Sequence, residues 1–76
     1  MKYEWDRGEI SEFATLAEVG PSFLSDLFQR RRTAGGKVAK RLVTASIAMH
    51  TKNRAFPVTT VEQWLYPDEY DNPLLP

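Results

Sequence analysis

The sequence predicts an all-α fold, a compact bundle of four to five short helices. Three observations point there. Apolar residues recur at helical spacing in four segments, glycine and proline separate those segments, and 76 residues suffice for one domain and no more. A domain of this size buries a modest core and is marginally stable alone. Its usual supports are disulfides, metals or self-association. The chain has no cysteine and a single histidine, His50, so disulfides, thiolate metal sites and an imidazole metal cluster are excluded. Self-association remains, and a homodimer is expected, with no metal and no cofactor.

The first predicted helix runs from about Ile10 to Glu18, because Ile10, Phe13, Ala14 and Ala17 share one face. Val19-Gly20-Pro21 breaks it, since proline disfavours a helical residue before it. The second helix begins at Pro21, where a missing N–H costs nothing, and ends near Gln29. Phe23, Leu24, Leu27 and Phe28 form its apolar side, and Ser22, Ser25, Asp26 and Gln29 form a polar stripe opposite. Arg30-Arg31-Arg32-Thr33-Ala34-Gly35-Gly36 reads as a basic loop. The third helix spans about Gly36 to His50, with Val38, Leu42, Ala45 and Met49 as the buried stripe, Ala39 and Ser46 beside it, and Lys37, Lys40 and Arg41 on the polar side. Thr51 to Pro57 reads as a loop, and a fourth helix runs from Thr59 or Thr60 to Leu65, with either threonine as cap and Glu62 in its acidic first turn. Residues 66–76 read as an irregular tail. Phe13, Phe23 and Phe28, at helix-packing spacing, are expected in the core, and His50 is expected to cap a helix end or lie on the surface.

The formal net charge of zero conceals a sorting along the chain. Residues 1–20 carry −3, residues 21–54 carry +7, and residues 55–76 carry −4. A basic module between acidic ends is the footprint expected where a polyanion binds. No secretory signal is visible after Lys2, where Glu4, Asp6 and Glu9 interrupt any apolar run. The apolar run Leu42 to Met49 falls short of the ~18 residues of a membrane span. The expectation is a cytoplasmic protein with no membrane partner. No nucleophile–base pair, apolar carboxylate pair or glycine-rich phosphate loop is evident, so no enzyme and no catalytic residue is expected.

Two short helices joined by a tight turn, the second with an apolar back and a polar front, are the ingredients of a helix-turn-helix. The segment Phe13-Ala14-Thr15-Leu16-Ala17-Glu18-Val19-Gly20-Pro21-Ser22-Phe23-Leu24-Ser25-Asp26-Leu27-Phe28 resembles that motif in the phage repressor and Cro-like family. Ala14 matches the small residue at the helix crossing, and Val19, Leu24 and Leu27 match the three apolar locks. The likeness continues through Arg31-Arg32 and Lys37-Val38-Ala39-Lys40-Arg41-Leu42, covering roughly residues 10–45. Val58 to Asp68 is similar, more weakly, to a C-terminal segment of small Cro-like prophage antitoxins. Two features depart from the pattern. Glu18 stands where the family has glycine, and a left-handed backbone there costs about 1 kcal/mol. Only nine residues precede Ile10, where the family has a full helix; Met1-Lys2-Tyr3-Glu4-Trp5 looks more like a strand or loose arm. Either the first helix is one turn, or Tyr3 and Trp5 cover that side of the core.

The resemblance implies a lambda-repressor-like fold and a sequence-specific regulator of transcription. A dimer would place its two Pro21–Gln29 helices in successive major grooves, about 34 Å apart, on a near-palindromic double-stranded operator. Ser22, Ser25, Asp26 and Gln29 would face base edges, Gln29 toward adenine and Asp26 toward cytosine N4. Arg30, Arg31 and Arg32 suit phosphate contact, and Lys37, Lys40 and Arg41 extend that track. Trp64, Leu65, Tyr66, Leu74 and Leu75 either cover the core or form the dimer contact. Two alternatives share the scaffold: an antitoxin whose C-terminal segment holds a toxin, and a recombination accessory factor that bends DNA.

Overall fold

The computed structural model describes residues 2–76, so Met1 of the expected arm lies outside the described residues. Four helices follow one another, α1 (Glu9–Leu16), α2 (Pro21–Phe28), α3 (Gly36–Lys52) and α4 (Val61–Leu65), and no strand occurs among the described residues. Helix α1 packs on α2 and on α3, and α3 packs on α4. The result measures 26 × 24 × 20 Å between Cα atoms.

The helix ends explain where the expected boundaries move. Helix α1 stops two residues before Glu18, because Glu18 adopts φ 58°. There Glu18 N donates to Thr15 O (3.1 Å) and Val19 N donates to Ala14 O (3.0 Å). These are the paired bonds of a Schellman ending, which needs one left-handed residue. The same device closes α2. Arg30 takes φ 62°, Arg30 N donates to Leu27 O (3.1 Å), and Arg31 N donates to Asp26 O (2.9 Å). Helix α3 runs on through Thr51 to Lys52, past the expected end at His50. His50 Nδ1 lies 2.8 Å from Phe56 O and ties the following loop to the helix. Helix α4 is capped by Thr60, with Gln63 completing a reciprocal capping box.

Phe13 and Ala14 from α1, Ala17 at its C-cap, Leu24 and Leu27 from α2, and Ala39, Leu42, Ala45 and Met49 from α3 meet in the core with Phe56, Trp64, Leu74 and Leu75. Phe23 and Phe28, expected inside, are only half-buried against its margin. Ile10, expected on the inner face of α1, is 38% exposed. Of the C-terminal apolar residues, Trp64, Leu74 and Leu75 are buried within one chain, Leu65 is half-buried, and Tyr66 is exposed.

The arm and the tail bond to each other, and Tyr3 and Trp5 pack against that side of the core. Tyr3 N donates to Pro73 O (2.8 Å), Trp5 Nε1 donates to Leu74 O (3.2 Å), and Lys2 Nζ donates to Asp71 Oδ1 (2.8 Å). Trp5 sits amid aromatic rings, 5.6 Å from Tyr3, 5.5 Å from Phe13, 5.3 Å from Phe28 and 5.4 Å from Phe56 between centroids. Such edge and tilted contacts add to the area they bury. The tail is irregular but anchored. Asn72 is buried, accepting from Leu74 N (2.9 Å) at Oδ1 and donating from Nδ2 to Gln63 O (3.3 Å).

Candidate nucleic-acid interface

The left-handed Glu18 turns the chain sharply, and Gly20 is extended before Pro21 opens α2. That entry, with Leu24 and Leu27 buried, fixes which side of α2 meets water. Ser22 and Gln29 are exposed, and Ser25 and Asp26 are half-buried, so the polar stripe stays on the surface. Gln29 Nε2 donates to Ser25 Oγ at 3.3 Å, which links two members of the stripe across one turn and leaves Gln29 Oε1 free of any protein donor among the described residues.

The three arginines turn back toward this face or across to the tail. Arg31 donates to Asp26 Oδ1 from both Nε (3.2 Å) and Nη2 (3.1 Å). Arg32 Nε lies 3.7 Å from Asp26 Oδ2, and its guanidinium stands 5.0 Å from the centroid of the Phe23 ring. A half-exposed aromatic face beside a cation is favourable because the ring carries negative charge above its plane. Phe23 thus does more than pack, a role its place on the apolar side of α2 concealed. Arg30 Nη1 reaches to 3.8 Å from Asp68 Oδ1, a pair whose carboxylate is almost fully exposed. Pairs of this exposure contribute little to stability and yield readily to a competing anion.

Lys37, Lys40 and Arg41 project from the first two turns of α3, exposed, with no ion pair among the described residues. They follow directly on the arginine turn in sequence. The expected sites therefore fall into two groups. On and beside α2, Asp26 contacts Arg31 and Arg32, Gln29 bonds Ser25, Ser22 stands exposed and Arg30 turns to Asp68, while Lys37, Lys40 and Arg41 form a separate row of cations on α3 with no ion pair among the described residues.

No group of three or more histidine and acidic side chains is placed to hold a metal ion among the described residues. A hollow of ≈ 120 Å³ lies between Arg30, Arg32 and Asp68 over Leu27, Trp64 and Leu75. No helix is long and apolar enough to cross a membrane among the described residues. Compared with protein-family models, with curated proteins and with solved structures, the chain matches none.

Proposed function

We propose that this chain is a sequence-specific double-stranded DNA-binding regulator of transcription, with α1, the Glu18 turn and α2 acting as a helix-turn-helix. The observation that carries the reading is the division of α2. Its Leu24 and Leu27 are buried, while Ser22 and Gln29 face outward with Arg31 and Arg32 drawn to the same side by Asp26. A major groove about 12 Å wide admits one such helix, polar side first. Phosphates flank the groove, where Arg30, Lys37, Lys40 and Arg41 supply positive charge. The longest Cα extent of one protomer is 26 Å, so two copies side by side can set equivalent helices one DNA turn apart, about 34 Å.

Selection from a random duplex pool with the purified protein tests this. A near-palindromic site among the winners is expected. Gln29→Ala should then lower affinity for that site by about 1–3 kcal/mol and relax one base position. Failure to enrich any sequence would sink the proposal.

A further inference from the structure

We infer that Arg31, held in place by Asp26, reads a base, and that the base is guanine. This rests on the DNA-binding reading above and assigns a specificity to it. A guanidinium has a side edge, Nε with Nη2, and an end edge, Nη1 with Nη2. The side edge of Arg31 is committed, since Nε and Nη2 both donate to Asp26 Oδ1 at 3.2 and 3.1 Å. The end edge has no acceptor among the described residues, and the side chain is 62% exposed. Two parallel N–H groups on one guanidinium edge match the O6 and N7 acceptors that guanine presents in the major groove.

The backbone enforces the same placement. Arg30 is left-handed, which brings Arg31 N to 2.9 Å from Asp26 O at the close of α2. Arg31 is therefore tied to Asp26 twice, once through the main chain and once through the side chain. A long side chain already restrained in this way has less freedom to lose on docking. The geometry also changes the part played by Asp26. Its Oδ1 accepts twice and its Oδ2 faces Arg32 at 3.7 Å, so the face it sits on presents guanidinium charge rather than a bare carboxylate. A bare carboxylate between two rows of phosphates would be repelled. Asp26 is thus a positioning residue for Arg31, in place of an acceptor for cytosine N4.

Both roles favour a G·C pair, and they differ in the atom that is read. The test uses the duplex enriched from the random pool, with 7-deazaguanine placed at each G·C pair in turn. That base lacks the N7 acceptor and leaves cytosine N4 untouched. Binding of the unaltered protein should fall about tenfold or more at one position in each half-site. Arg31→Ala should bind the natural site that much more weakly and lose all sensitivity to 7-deazaguanine there. Asp26→Ala should reduce the same sensitivity, and Asp26→Asn, which keeps an acceptor oxygen, should retain part of it. Indifference of the unaltered protein to every 7-deazaguanine overturns the inference without needing a variant. So does an Arg31→Ala protein that weakens equally on the selected and on random duplexes, which would make Arg31 a phosphate contact while DNA binding itself stands. A protein that retains no duplex at all overturns the parent reading and this one together.

Discussion

Glu18 and Arg30 hold left-handed backbones, at φ 58° and 62°, in the two turns that frame α2. For an L-residue this conformation costs roughly 1–2 kcal/mol, whereas glycine is free of it and gives back roughly 0.5–1 kcal/mol of chain entropy. Glu18→Gly should therefore stabilise the fold by about 0.5–1 kcal/mol, visible as a higher urea midpoint with an unchanged slope. Arg30→Gly carries the same backbone gain but removes a guanidinium from the basic face. Tyr3 gives a second residue-scale expectation. Burial raises its phenol from 10.0 to about 12, helped by its hydrogen bond to the Glu9 carboxylate and the charges of Glu9 and Asp6. The hydroxyl donates to Glu9 at 2.7 Å, a bond that exists only while the phenol is protonated. Because the folded value lies above the unfolded one, this stabilisation is complete below pH 10.0 and disappears as pH rises through about 12. Urea unfolding across that window should show a decline in stability that Tyr3→Phe makes shallower.

Between elements, α3 and α4 are joined by a buried chain of hydrogen bonds rather than by apolar contact alone. Trp64 Nε1 donates to Thr59 Oγ1 (2.8 Å), Thr59 Oγ1 donates to Ser46 Oγ (3.1 Å), and Ser46 Oγ donates to Val43 O (2.7 Å). Thr59 N also donates to Ser46 Oγ (3.1 Å), so one serine oxygen serves three partners. Ser46→Ala would strand two buried donors of Thr59, at a cost of about 1–3 kcal/mol. Thr44→Ala, which removes a hydroxyl bonded to Lys40 O on the exposed side of the same helix, should stay within about 0.5 kcal/mol. Comparing their thermal midpoints checks the difference. Ser46 lies beside the apolar stripe of α3 in sequence, but nothing local says that a threonine thirteen residues on will need its oxygen. Helical period, proline at the start of α2 and the threonine cap of α4 made the four helices legible to within a few residues. The polar stripe of α2 was legible for the same reason. The Asp26–Arg31 clamp was not, because it joins residues five apart across a left-handed turn, beyond the three- and four-residue spacings of a helix surface. Nor was the seam of arm and tail, which pairs Tyr3 with Pro73 at opposite ends of the chain.

At the scale of the whole molecule the question is how a chain of zero net charge would hold a polyanion. Attraction must come from asymmetry: ion pairs join Lys52 to Glu12 and Arg30 to Asp68 across the blocks sorted in sequence, and a local row of cations is left on α3. The acidic ends are tied to each other through Lys2 and Asp71, while Lys37, Lys40 and Arg41 remain unpaired on α3 among the described residues. Arg30 adds a fourth cation, since a 3.8 Å contact to the exposed Asp68 competes weakly with a phosphate. Arg31 and Arg32 are engaged by Asp26 and do not enter this sum. Each phosphate neutralised releases counterions, and log affinity falls by about 0.9 per contact for each tenfold rise in salt. Two protomers with four contacts each should thus give a slope of roughly −7, and one protomer roughly −4. A salt titration on the selected duplex reads contact number and stoichiometry together, and Lys40→Ala should lessen the dimer slope by roughly 2, one contact from each protomer. A flat titration would mean that the basic surface meets no phosphate, and the charge sorting would then need another explanation.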